Sequence, residues 1–213
     1  MRRCERRSLG HGAPRAVSFT FTLSLLLALG CDPIAPLEHS VGTVVAVRGS
    51  TTVADEPGGP IARVPIEGVV SVSSPGLADC ALDLGARLLL DAGSRVALLT
   101  EESVRIEEGR VYLEVLSGDT LAIETPAGSL TLADAAVSLT ADASGVHVYV
   151  VRGEASYRNG ESRGLARAGE ELTLASGGSA SVAPRTLWDD WTGGLVRPGP
   201  EMGHSAPGMG VLE

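Results

Sequence analysis

Lysine is absent from this chain, and aromatic residues make up only 3% of its 213 residues. All 17 basic residues are therefore arginines. Beyond residue 30, 12 arginines stand against 25 Asp and Glu residues, which gives this part a net charge of −13. Binding to nucleic acid or electrostatic binding to anionic lipid requires a basic surface, so the composition argues against both. The few aromatic residues also argue against an aromatic platform for sugars or bases.

Cysteine is scarce as well, with only Cys4, Cys31 and Cys80. A chain with so few thiols has no disulfide framework to hold its fold together. Cys80 lies in the alternating stretch 80–84, and this pattern predicts a small buried core residue rather than a reactive thiol. A disulfide between Cys31 and Cys80 is the alternative, if the Cys31 thiol stays free.

The first thirty residues combine a basic region with an uncharged apolar run. Five arginines and one glutamate give the stretch a net charge of +4, and residues 16–29 carry no charge. A helix of 14 residues rises about 21 Å, which is short of the roughly 30 Å hydrocarbon core of a membrane. The pattern therefore predicts a secretory signal peptide over residues 1–30, with a signal helix, rather than a permanent membrane span.

Leu27-Ala28-Leu29-Gly30-Cys31 resembles the lipobox of bacterial lipoproteins. In that family a signal peptidase cuts before the cysteine, whose thiol carries a diacylglycerol. The resemblance implies cleavage between Gly30 and Cys31, acylation of Cys31 with palmitate-type chains, and a membrane anchor on the periplasmic or outer-surface side of the cell envelope. Ala28 stands where the family usually has leucine. The alternative is an ordinary signal peptide that runs into a cysteine.

Between residues 41 and 182, apolar residues recur at every second position in short runs, which is the signal of half-buried strands. Glycines at intervals of roughly eight to ten residues, such as Gly109 and Gly153, are predicted to separate these strands. The sequence therefore predicts an all-β fold with many short strands in a rolled sandwich or solenoid-like sheet. Tyr112 and His147 are predicted to point away from the core. The residues predicted to face it include Val104, Ile106, Val111, Leu113, Val115, Leu121, Ile123, Leu130, Leu132, Val137, Leu139, Val146, Val148, Val150, Leu172 and Leu174.

Six segments of this region resemble, in the same order, the periplasmic domain of FecR-type proteins; they are residues 44–49, 88–99, 106–115, 123–132, 148–156 and 168–174. Residues 133–137 depart from the family, which usually has Gly-Thr-x-Phe there. FecR-type transducers also have a cytoplasmic segment that contacts a sigma factor. Because a signal peptide is predicted here, we expect no direct contact with a sigma factor.

The predicted organisation is a signal peptide at 1–30, a tether at 31–40, a FecR-like β domain at 41–182, a short helical or irregular segment at 183–192 and a flexible Gly/Pro-rich tail at 193–213. Trp188 and Trp191 are predicted to pack against the edge of the sheet, and residues 195–213 to remain unpacked. The tail resembles the linker that follows FecR-like domains in some larger exported proteins with a vault/inter-α-trypsin (VIT) domain, which implies that this chain corresponds to the N-terminal part of such a protein. The alternative is a tail that docks elsewhere.

No motif predicts catalytic, cofactor-binding or metal-binding residues. His39, His147 and His204 are widely separated, without zinc-site spacing, and no nucleophile elbow or Walker loop is present. The first hypothesis is a lipid-anchored, non-enzymatic domain that binds, senses or scaffolds an unknown envelope protein or glycan. The alternative is an exported hydrolase with a dispersed active site, which a deep cleft lined by convergent acids or histidines would favour.

Overall fold

The computed structural model describes residues 39–116, 118–185 and 191–196, and these residues form an all-β fold, as the alternation predicts. The predicted signal helix and most of the predicted tether lie outside these residues. None of the described residues belongs to a helix that is long and apolar enough to cross a membrane. The fifteen strands of the described residues are Ser40–Arg48 (β1), Thr51–Val53 (β2), Glu56–Pro57 (β3), Ile61–Pro65 (β4), Gly68–Val72 (β5), Leu77–Leu82 (β6), Ala86–Asp91 (β7), Arg95–Thr100 (β8), Ser103–Val115 (β9), Thr120–Thr125 (β10), Gly128–Asp142 (β11), Gly145–Asn159 (β12), Ser162–Arg167 (β13), Glu170–Ala175 (β14) and Ala180–Pro184 (β15).

Three long strands hold the molecule together. The second half of β9 pairs with β7 and β11, while its first half pairs with β8 and β10. Strands β11 and β12 likewise pair along both of their halves, and β12 pairs with β14 through its first half and with β13 through its second. The single sheet thus divides into two layers, which share these three strands.

We call the strand order β4-β1-β6-β7-β9-β11-β12-β14-β15 the first layer. The second layer runs β3-β2-β5-β8-β9-β10-β11-β12-β13, and its β9–β10 pair is parallel. Buried side chains of both layers belong to one apolar cluster, so the sheet folds over onto itself. This arrangement is the rolled sandwich that the short alternating runs predict.

The predicted breaks at Gly109 and Gly153 are wrong, because β9 and β12 continue through them. Both glycines have positive φ angles, 95° and 72°. A Cβ atom at Gly109 would lie 2.4 Å from the Cα of Ser94, and one at Gly153 would lie 2.4 Å from the carbonyl oxygen of Asp134. The glycines therefore mark points where a long strand crosses from one layer to the other under close backbone approach, rather than turns that end a strand.

The core between the layers follows the predicted alternation. Val148 is fully buried, whereas His147 beside it is only partly buried. Six residues in register across six strands of the first layer form one completely buried row, and at about 25 cal/mol per Å² of apolar surface such rows supply most of the stabilisation of the fold. The row consists of Val44, Cys80, Leu88, Leu113, Val137 and Val150.

Candidate functional site

Cys80 is a core residue, as the sequence predicts. Its side chain is completely buried, and it is unpaired. Burial raises the pKa of the Cys80 thiol to about 12, with further contributions from the negative charges of Asp79 and Asp83. Because the thiolate is the reactive form of cysteine, a thiol held protonated in this way is chemically inert.

The two histidines among the described residues, His39 and His147, form no joint site. His147 lies on β12, where its Nδ1 atom is 3.4 Å from the hydroxyl of Thr173, and His39 lies at the exposed start of the described region. His204 lies outside the described residues. Within the part of the chain that the structure describes, no group of three or more His, Cys, Asp or Glu residues is placed to hold a metal ion.

Two pairs of consecutive glutamates, Glu107-Glu108 and Glu170-Glu171, contain members that form ion pairs or hydrogen bonds. The carboxylate of Glu107 accepts a hydrogen bond from Arg95 at 2.6 Å, and that of Glu171 accepts one from Arg185 at 2.6 Å. Glu170 accepts a hydrogen bond from the backbone N–H of Arg167 at 2.7 Å. These contacts connect neighbouring strands and turns, so the glutamates have structural roles here.

Several ion pairs lie on the side of the first layer that faces away from the core, which we call the outer face of the first layer. One row of residues in register crosses seven strands there, and its charged members form ion pairs with neighbours in the same face. The Arg87 guanidinium contacts the Asp79 carboxylate at 2.7 Å, and the Arg152 guanidinium contacts Glu114 at 3.3 Å. The row consists of Arg63, Thr43, Ala81, Arg87, Glu114, Ala136 and Arg152.

A shallow depression of about 340 Å³ opens on this face over β1, β6 and β7. Its surface is mostly apolar, and the Asp79–Arg87 ion pair forms one wall. Val45 in the depression is 38% exposed, and its cross-strand neighbour Ile61 is 67% exposed. The depression is lined by Thr43, Val45, Asp79, Ala81, Leu82, Gly85, Ala86 and Arg87.

A second apolar cluster lies on the same face, separate from the main core. Tyr112 points away from the core, as predicted, but it is only 2% exposed, and burial raises the pKa of its phenol. Its neighbours in the cluster come from β7, β11 and β12 and from residues 191–196, and Trp191 packs against them. The cluster consists of Leu89, Tyr112, Ala136, Tyr149, Val151 and Val196.

Residues 191–196, which we call the C-terminal segment, cover this second cluster. The indole N–H of Trp191 donates a hydrogen bond to the hydroxyl of Ser138 at 3.0 Å, and the Arg110 guanidinium lies 4.8 Å from the centre of the indole. Thr192 and Val196 are buried, with exposed fractions of 3% and 5%. The chain therefore lies along a sheet face that already bears ion pairs and aromatic rings.

Two expectations about the C-terminus require correction. Trp191 packs on the face of the sheet and not at its edge, because Ser138 and Arg110 belong to the interior strands β11 and β9. Val196 is also buried, so the prediction that residues 195–213 are unpacked is wrong at that residue, whereas Leu195 is 42% exposed. The predicted partner Trp188 lies outside the described residues. The one sequence signal for this covered face was Tyr112, an aromatic residue at a position that alternation assigns to the outside.

Cys31 and Gly30, the predicted lipid-attachment and cleavage residues, lie outside the described residues. They are the site residues that the sequence predicts, so none of the residues of this face was predicted as part of a site. Comparison with protein-family models finds no match, and comparison with curated proteins finds none either.

Two solved structures resemble the fold. Both are crystal structures of a candidate anti-sigma factor from Parabacteroides distasonis ATCC 8503, at 1.65 Å and 2.50 Å resolution. Their sequences are 18% and 17% identical to this chain, and each superposition has a TM-score of 0.49. Each covers 55% of this chain and 59% of the other, so the match spans less than two thirds of those proteins. The likeness concerns the fold alone.

Proposed function

We propose that this chain is a lipid-anchored, non-enzymatic protein of the bacterial cell envelope whose β domain binds or scaffolds another envelope protein. The lipid on Cys31 would hold it to the membrane, and the outer face of the first layer would hold the partner. The observation that supports the binding part is the C-terminal segment, because a short piece of polypeptide, made of turns and bends, already packs on this face.

The contacts of that segment are those of protein interfaces. An indole lies against a guanidinium and donates a hydrogen bond to a hydroxyl, while a buried valine belongs to the same apolar cluster as two tyrosines. Aromatic residues and arginine are the residue types enriched at protein–protein interfaces and at their energetic centres. The covered part of the face continues directly into the open depression, since Leu89 pairs with Asp79 on the neighbouring strand.

The anchor and the face are close enough along the chain to work together. Strand β1 begins at Ser40, nine residues after Cys31. At about 3.3–3.6 Å per residue, such a linker spans at most roughly 30 Å. A lipid on Cys31 would therefore keep the β domain next to the membrane, within reach of other envelope proteins.

Labelling with radioactive palmitate tests the anchor. The wild-type chain should incorporate label and partition into the detergent phase, because two or more acyl chains hold a protein firmly at about 0.8 kcal/mol per buried CH₂. Cys31→Ser should lose both properties, while Cys4→Ser should retain them. Equal labelling of Cys31→Ser and wild type would contradict the lipid anchor.

Site-specific photo-crosslinking in intact cells tests the binding face. A photoreactive residue at Ala81, in the depression, should give one discrete adduct, and Val45→Asp in the same chain should remove it. The matched control is a photoreactive residue at Thr131, which is exposed on the opposite side of the molecule in the second layer. Equal adducts from both positions, or none from Ala81, would contradict a partner on this face.

A further inference from the structure

Four strands of the described residues pair on one side only: β3, β4, β13 and β15. Open edges expose backbone N–H and C=O groups. Natural proteins protect such edges with proline, with charged side chains or by keeping the edge strand short. Strand β3 contains Pro57 and is two residues long, β4 ends at Pro65, and β15 ends at Pro184. Strand β13 is six residues long and contains no proline.

The hairpin that carries β13 shows which of its backbone groups are open. Asn159 pairs with Ser162 across a two-residue turn, in which Gly160 has a φ of 58°. In such hairpins the pair that closes the turn is hydrogen-bonded, and from there non-hydrogen-bonded and hydrogen-bonded pairs alternate along the strands. The pairs Arg158–Arg163 and Ser156–Leu165 are therefore non-hydrogen-bonded. The backbone N–H and C=O groups of Arg163 and Leu165 thus point away from β12. Among the described residues, neither has a backbone hydrogen bond outside the strand ladder.

Contacts within the molecule support the hairpin that carries this edge. The side chain of Asn159 is only 4% exposed, and its amide donates hydrogen bonds of 2.8 Å to the carbonyl oxygens of Ala175 and Ser179. The Tyr157 ring covers Gly164 on the facing strand, so that a Cβ atom there would lie 2.7 Å from the phenol oxygen. A preformed edge loses little conformational entropy on binding, which favours strand addition.

Two arginines on this hairpin lack a carboxylate partner among the described residues. Eight of the eleven arginines in the described residues contact a carboxylate within 4.0 Å, but Arg158 and Arg163 do not. These two arginines stand directly opposite each other and are exposed. Like charges opposite each other in a non-hydrogen-bonded pair, where side chains are closest, destabilise a sheet. Beside them, Leu165 is 51% exposed.

We propose that β13 is a docking edge for an extended, acidic peptide segment of a partner protein, which adds to the second layer as a further strand. Its backbone pairs with the open groups of Arg163 and Leu165. One of its carboxylates lies against Arg158 and Arg163, and an apolar side chain two residues away packs on Leu165, because residues i and i+2 share a face. This surface is distinct from the outer face of the first layer. The proposal therefore goes beyond the function proposed above and is tested independently of it.

The test uses the full-length chain purified in detergent and the synthetic peptide Thr-Glu-Thr-Val-Thr-Glu-Thr, whose symmetric pattern fits either strand direction. Fluorescence anisotropy should show binding, and Arg158→Gln combined with Arg163→Gln should weaken it about tenfold or more. The matched control is Arg48→Gln, since Arg48 is also exposed and without an ion pair but lies on β1. A peptide with Gln in place of Glu should bind as weakly as the double variant.

Hydrogen exchange distinguishes strand addition from simple charge attraction. The amides of Arg163 and Leu165 should exchange more slowly when the acidic peptide is bound. Leu165→Pro removes an outward N–H without removing a ladder hydrogen bond, so it should abolish binding while far-UV circular dichroism stays unchanged. Leu165→Ala, which keeps that N–H, should retain most of the binding. The proposal is overturned if the peptide does not bind, if protection appears elsewhere, or if a scrambled acidic peptide binds equally well.

Discussion

The outer faces of the two layers are built by the same alternation but lie in different surroundings. In the first layer, a row in register contains Leu89, Tyr112 and Tyr149, and the C-terminal segment covers it. In the second layer, the corresponding row of Ala122, Thr131, Ser156 and Leu165 is uncovered and mostly small or polar. Alternation thus assigns a side chain to one side of a sheet, but it does not say whether another segment covers that side.

The largest expected effect is the difference in stability between a charge placed in the core and a charge placed on an outer face. Val148→Asp places an unpaired carboxylate between the layers and should lower the free energy of unfolding by on the order of 5 kcal/mol, or prevent folding. His147→Asp, one position away on the outer face of the first layer, should cost less than about 1 kcal/mol. Urea unfolding of both variants measures the difference. Similar losses would mean that the register of β12 is wrong, since a slip of one residue exchanges the two faces.

The next effect compares the two outer faces directly. Tyr112→Ala removes a buried ring from the second cluster and should lower the free energy of unfolding by about 3 kcal/mol. Thr131→Ala, at an exposed position of the second layer, should change it by no more than about 0.5 kcal/mol. Both values come from chemical denaturation under the same conditions. If Tyr112→Ala were as mild as Thr131→Ala, the C-terminal segment would not cover this face in solution.

A truncation tests where that cover ends. Removing all residues after Gly194 deletes Val196 from the second cluster and should cost about 1–2 kcal/mol, from the burial of one valine side chain. Removing only the residues after Val196 should leave the thermal midpoint unchanged, because the buried valine is retained. Differential scanning calorimetry of the two truncated chains decides this. Equal midpoints would show that packing stops before Leu195.

The last comparison is made at alkaline pH and concerns Cys80, whose thiol faces the core while its neighbours Asp79 and Asp83 reach the outer face. Its pKa is about 12 in the folded chain, against 9.0 for an ordinary thiol. The folded state therefore holds the proton more tightly, so stability from this group is complete below pH 9 and declines between about pH 9 and 12, as the unfolded thiol ionises. The loss of stability over this range should be shallower in Cys80→Ala. Identical slopes would contradict a buried, protonated thiol.

Much of the fold could be predicted because it depends on local pattern. The predicted faces of β9 and β12 are confirmed, and so is the burial of Cys80, because period-two alternation follows from strand geometry alone. The breaks at Gly109 and Gly153 were wrong, because a glycine with positive φ serves equally well in a turn or where a long strand bends under a close neighbour. Which of these applies depends on Ser94 and Asp134, whose proximity the local sequence does not reveal.

The candidate surfaces were far less predictable. The outer face of the first layer depends on where residues 191–196 lie, some 80 positions after Tyr112 in the sequence. The open edge at β13 depends on which strands end up without a neighbour, and on which arginines lie near a carboxylate. Both are properties of long-range pairing, which hydrophobic pattern does not encode.

The sequence by itself determined that the chain forms alternating strands with one acidic, lysine-free surface and an inert buried thiol, since composition and period-two burial are local properties. Its N-terminal pattern likewise predicts the lipid anchor without any structure. Only the tertiary structure decided that three long strands bend through both layers, that Trp191 and Val196 cover an aromatic face, and that β13 keeps an open edge beside two unpaired arginines. These features arise where distant segments meet, because a side chain becomes covered or a backbone group stays open only through its neighbours in space.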